Sequence, residues 1–136
     1  MQLRCLAAII AMSLTSPALA AGDAALGESS FKKCKACHSI IADDGSVIYK
    51  GGKTGPNLYG VMDRAAATTD FNYSDLIKEA AATGLIWDEA AFVGYLADPN
   101  AFLKGRVTDS SGRSKMTFKL GEGGEDIAAF LASVVQ

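Results

Sequence analysis

The sequence lacks most of what membrane, nucleic-acid-binding or multi-metal proteins display. Among 136 residues there are one histidine, one tryptophan, three prolines and three cysteines. A structural zinc site, which needs four nitrogen or sulfur ligands, is therefore hard to build. After the first 20 residues no stretch reaches the ~18 apolar residues that a spanning helix requires. Strand-like alternation of apolar and polar side chains is almost absent, so a sandwich or barrel is excluded. The formal net charge is only −2, which disfavours a general polyanion binder and puts nucleic acid low among partners. With 49% hydrophobic and 21% charged residues, and no repeat or linker, the chain reads as one globular domain.

Part of that hydrophobicity belongs to a leader. Met1–Ala20 runs from Arg4 through the apolar stretch Leu6–Leu14 to Pro17, Ala18, Leu19 and Ala20. This order of charge, short apolar stretch and small-residue cleavage site is that of a secretory signal peptide. Removal leaves residues 21–136 as a soluble exported domain of net charge −3, with Cys34 and Cys37 its only cysteines. In an oxidising exported compartment such a close pair must become a disulfide, bind metal or be alkylated.

The residue pattern is helical and all-α, with long loops. Gly27, Phe31 and Cys34 share one face of a helix around Ala24–Lys33, and Ile127, Phe130, Leu131 and Val134 share one near the end. A helix over Asp88–Ala97 places Phe92, Tyr95 and Leu96 together and should end at Pro99. Another begins at Ser74, a good N-cap, and stops at Gly84. Ile40–Asn57, Val61–Asn72 and Lys104–Gly112 read as loops. Four short helices make a thin core for a chain of this length. Aromatic residues inside apparent loops (Tyr59, Phe71, Tyr73, Phe118) suggest that a buried prosthetic group fills the centre.

Cys34-Lys35-Ala36-Cys37-His38 is the C-x-x-C-H signature of covalent haem attachment. Two thiols three residues apart on a helical turn can each add to a vinyl group on the same haem edge. The histidine that follows then reaches beneath the iron. The competing readings explain less. A thioredoxin-like pair belongs after a strand in an α/β chain, and that pattern is missing; a plain disulfide leaves His38 and the aromatic loops without a role. Haem c is therefore the expected cofactor, and His38, the only histidine, its proximal ligand. Its second ring nitrogen needs an acceptor, which the carbonyl of Pro56 in Gly55-Pro56-Asn57-Leu58 can supply. For the opposite face the candidates are Met62 and Met116, with lysines as weaker donors.

In its ordered set of motifs the mature chain resembles class I cytochrome c, and more narrowly the longer bacterial c2 type. The set comprises Gly27 and Phe31, Cys34–His38, Gly55–Leu58, Arg64, Tyr73-Ser74, Trp87, Tyr95-Leu96, Pro99, Met116-Thr117-Phe118 and Phe130-Leu131. The resemblance implies a cytochrome c fold wrapped around one haem, with the first and last helices crossing. It implies that Met116 binds iron opposite His38 and that Pro56 accepts the His38 proton. It further implies that Tyr95 directs its hydroxyl at the Met116 sulfur, while Arg64, Tyr73, Trp87 and Ser114 surround the haem propionates. The intervals from His38 to Pro56 and from Pro99 to Met116 exceed the mitochondrial spacing, as c2-type proteins do.

With both axial positions filled, the expectation is a one-electron carrier rather than an enzyme. A soft thioether and a buried site both favour reduced iron and raise the potential. A haem enzyme or sensor with a labile Met116 bond, and a haem-free dithiol module, are the rival readings. Residues 32–53 carry five basic against two acidic side chains, and residues 104–119 five against one; residues 63–98 have a net −5. The basic segments flank the two expected ligands, so they should ring one exposed haem edge and steer it towards acidic partners. The family suggests a periplasmic monomer taking electrons from a bc1-type complex and passing them to a photosynthetic reaction centre or terminal oxidase.

Overall fold

The computed structural model describes residues 22–109 and 111–135; the leader read over Met1–Ala20 lies outside them. Five helices and one two-stranded ribbon follow in the order α1 (Ala24–Phe31), β1 (Ile40–Ile41), β2 (Val47–Tyr49), α2 (Asp75–Ala82), α3 (Glu89–Ala97), α4 (Pro99–Lys104) and α5 (Gly124–Ser133). None of the described helices is long and apolar enough to cross a membrane.

Local chemistry starts most of these helices. Asp23 accepts from the backbone N–H groups of Ala25 and Leu26 at the head of α1, and Ser74 Oγ accepts from Ile77 N at the head of α2. Asp88 Oδ1 takes the Ala91 N–H at the head of α3, at 2.8 Å. Such caps satisfy donors that a helix's first turn leaves orphaned. Gly84, at φ 87°, ends the α2 segment where the sequence places the stop.

The outer helices meet as expected. At the α1–α5 contact, Gly27 lies so close to the Asp126 carbonyl and Phe130 that a Cβ would collide with both. Phe31 meets Phe130 with ring centroids 5.5 Å apart, and Tyr49 closes the cluster edge-on to Phe31 at 4.9 Å. Phe31, Ile40, Leu76, Leu103, Ile127 and Leu131 are fully buried.

Two elements depart from the sequence reading. The Ile40–Asn57 segment is not all loop: Ile40 pairs with Tyr49 and Ile41 with Val47, antiparallel and with an irregularity between them. Asp44-Gly45-Ser46 turns the chain, with Gly45 at φ 86° and Asp44 Oδ1 accepting from Ser46 N. Side chains that are β-branched on both arms make the ribbon favourable despite its brevity. Pro99, expected only to end α3, also opens α4. A proline at the first helical position loses no hydrogen bond, and Asp98 caps the new helix through Ala101 N at 3.0 Å.

Candidate functional site

The turn that ends α1 carries the chemistry. Successive bonds from Cys34 N to Phe31 O, Cys37 N to Cys34 O and His38 N to Cys34 O continue the helical winding to His38. This puts both thiols and the imidazole on one wall of a cavity of about 320 Å³. The thiols are free. Burial pushes the Cys34 thiol up to about 11, against a lowering by Lys33 and a smaller raising by Cys37.

Pro56 and Gly55 set the imidazole. The Pro56 carbonyl lies 2.8 Å from His38 Nδ1, so that nitrogen donates and Nε2 remains the lone-pair nitrogen. Burial lowers the His38 pKa and the Pro56 bond raises it, the first effect being the larger. Gly55 has the ring against its backbone, where any Cβ would collide with Cε1, Nδ1 and Nε2. Gly55 N in turn donates to Cys37 O at 2.8 Å. Asn57 fastens the same loop to β1, accepting from Ile41 N and donating to Ile41 O.

The ten residues to which the sequence assigns haem attachment, iron ligation or haem contact all border this one cavity: Cys34, Cys37, His38, Pro56, Arg64, Tyr73, Trp87, Tyr95, Ser114 and Met116. Arg64 is held by Tyr59 O at 2.8 Å, and the Tyr73 hydroxyl bonds to Thr69. Trp87 packs against Tyr95 at 4.9 Å and stacks with Phe102 at 6.3 Å. Burial raises the Tyr95 pKa, with the nearby Ser114 hydroxyl lowering it and Tyr73 raising it. Ser114 Oγ nevertheless makes no hydrogen bond of good geometry, and it is the one buried side-chain polar atom so orphaned among the described residues. Met62, the rival sulfur, does not border the cavity, whereas Met116 does.

The residues fit a haem. Two free thiols sit three positions apart beside an imidazole with its Nε2 available. The Met116 thioether lines the same cavity from a distant part of the chain, and the orphaned Ser114 hydroxyl asks for a polar partner, a cost of about 1–3 kcal/mol if it finds none. The remaining walls include Leu58, Val61, Ile77, Phe92 and Leu96, suited to a flat apolar group. Leu58 and Leu96 belong to the motifs that carry the family resemblance and Phe92 to a helical face, whereas Val61 and Ile77 carried no sequence signal of their own. Of the aromatics noted in loops, Phe71, Tyr73 and Phe118 border the cavity; Tyr59 does not, serving through its carbonyl. No group of three or more His, Cys, Asp or Glu side chains stands together among the described residues.

No family model matches the chain. It is 53% identical over 132 residues to cytochrome c-551 of Roseobacter denitrificans, covering 96% of this chain and 95% of that protein. To cytochrome c2 of Rhodobacter capsulatus it is 53% identical over 131 residues, 96% and 95% of the two chains. The X-ray structure of ferric cytochrome c-550 from Paracoccus versutus superposes with a TM-score of 0.81 at 49% identity, covering 85% of this chain and 99% of that one. The chain belongs to the class I cytochromes c, in the group named cytochrome c2, c-550 and c-551. Proteins of this group are electron carriers with one covalently bound haem c.

Proposed function

We propose that this chain is an exported, monomeric one-electron carrier of the periplasm and has no enzymatic activity. It would take electrons from a bc1-type complex and deliver them to a photosynthetic reaction centre or a terminal oxidase. The supporting observation is the convergence of Cys34, Cys37, His38 and Met116 on one cavity, with His38 Nδ1 already committed to the Pro56 carbonyl. When bound, the haem supplies an iron that cycles between Fe(III) and Fe(II).

Cys34 and Cys37 would hold the haem through thioethers, and His38 Nε2 and the Met116 sulfur would ligate its iron. Pro56 fixes the imidazole plane and tautomer, and Gly55 leaves room for the ring. Arg64, Tyr73, Trp87 and Ser114 supply charge or donors to the propionates, which would otherwise cost several kcal/mol buried. Tyr95 lies beside Ser114 and offers its hydroxyl to the sulfur. Ligated in this way by His38 and Met116, the iron would be closed to substrate oxygen, and the surrounding cavity residues would need little rearrangement between its two oxidation states.

The charge pattern supports docking through the cavity mouth. Lys33 and Lys115 both border the cavity, one from each basic segment. Residues 63–98, at net −5, lie between those segments in the chain. A positive edge of this kind steers acidic partners and accelerates their encounter.

The redox-dependent visible and near-infrared spectrum tests the reading. The expected result is a low-spin reduced haem and, in the ferric form, a weak far-red methionine–iron band. Met116→Leu should abolish that band and lower the potential by on the order of 0.1 V, within the ~0.8 V range that axial ligands span. A high-spin spectrum would make the protein a ligand-binding haem protein. Absence of Soret absorption would leave only the dithiol module.

A further inference from the structure

Met116 sits in an irregular strap, residues 114–120, with no helix or strand to hold it. Among the described residues only two of the strap's backbone N–H groups find protein acceptors, and they are its two ends. Ser114 N donates to Asn100 Oδ1 at 3.1 Å, and Leu120 N donates to Leu96 O at 2.8 Å. Lys119 Nζ adds an ion pair with Asp98 Oδ2 at 2.6 Å. All three acceptors lie within five residues, at the corner where α3 gives way to α4. A fourth tether comes from the other side, where Lys115 Nζ donates to Asn72 O.

The corner is itself rigid. Asp98 Oδ1 caps α4 through Ala101 N, Asp98 O accepts from Phe102 N, and Pro99 is fully buried. The Ala101 N–H, and after it Lys119, hold the Asp98 carboxyl below its ordinary range. Fixing both ends of a seven-residue segment removes much of the freedom its middle would have. The third residue of the strap is Met116.

We propose that Asp98 and Asn100 are positioning residues for the Met116 sulfur, clamping the two ends of its strap to the α3–α4 corner. The proposal rests on the reading of Met116 as an iron ligand. Asn100 carries the larger share, because its bond is half-buried and reaches the backbone two residues from the sulfur. The Lys119–Asp98 pair is exposed and carries less.

Imidazole added to the ferric holoprotein reads this out, since it reaches iron only when the strap opens and its apparent affinity follows the open fraction. Asn100→Leu, similar in shape but without the acceptor, should tighten imidazole binding about five-fold, the effect of one net hydrogen bond. Asn100→Asp keeps an acceptor and should return to near the wild-type value. Lys119→Gln should tighten binding about two-fold at low ionic strength and not at all at high salt. Asp23→Ala removes the α1 cap and should leave imidazole affinity unchanged. If Asn100→Leu binds imidazole as the wild type does, or Asn100→Asp is as loose as Asn100→Leu, the positioning role is wrong. Should Asn100→Leu fail to fold, an unchanged affinity in Lys119→Gln at low salt overturns the clamp by itself. The ligand reading fails separately, through a Met116→Leu protein that keeps the far-red band.

Discussion

The two sides of the cavity are built in opposite ways. The histidine side is a turn wound by its own backbone bonds and braced by a second segment 16 to 18 positions further on. Cys34, Cys37 and His38 are wound by bonds three or four residues apart, and Gly55, Pro56 and Asn57 lock onto them or onto β1. The methionine side is a strap whose tethers come from residues 14 to 43 positions away, and most of its backbone N–H groups have no protein acceptor among the described residues. A face whose backbone is hydrogen-bonded along its length and braced besides is formed or lost with the fold. A face hung between distant tethers can open while the rest stays intact, because local openings cost less than global unfolding. If Met116 ligates the haem iron as proposed, the difference would make His38 the fixed point and Met116 the bond through which foreign ligands enter.

The sharpest way to break that contrast is at Gly55. Gly55→Val drives a side chain into the His38 ring, where the nearest neighbours are ring atoms with little room to move. Urea unfolding of the holoprotein should show a loss of about 1–3 kcal/mol, the usual cost of overpacking, with helix signal and far-red band lost together. If the band disappears well before the helices in that variant, the histidine side is no more rigid than the methionine side. The smaller effect concerns docking, where the two sides should act alike. Lys33→Gln and Lys115→Gln, one from each side of the mouth, should each slow association with an acidic redox partner several-fold at low ionic strength. Both differences should shrink as salt rises above ~0.1 M. A rate independent of salt, followed by stopped-flow absorbance, would remove the steering role.

The same contrast explains what could be read in the sequence. Cys34–His38 and the caps Ser74 and Asp88 are local, and their chemistry is written in residues a few positions apart; Pro56, 18 positions from His38, was legible through the Gly55-Pro56-Asn57-Leu58 motif. The α1–α5 contact was legible through Gly27, Phe31 and Phe130, because helical periodicity announces a buried face. The ribbon escaped notice because two- and three-residue strands are too short to alternate, and α4 because Pro99 ends one helix and begins another. The tethers of the strap carry no pattern at all. Nothing in Asn100 or Lys119 as letters says that one meets Ser114 and the other Asp98; only the turn of the chain at Asp98 brings them together. Cavity-bordering side chains such as Val61 and Ile77 were likewise indistinguishable from ordinary core.

The central claim is that protein atoms hold both axial positions of one iron, and carbon monoxide tests it most directly. Dithionite-reduced holoprotein placed under carbon monoxide at neutral pH should keep its Soret band unchanged, whereas Met116→Leu should shift at once. A ready shift in the wild-type protein would contradict the account.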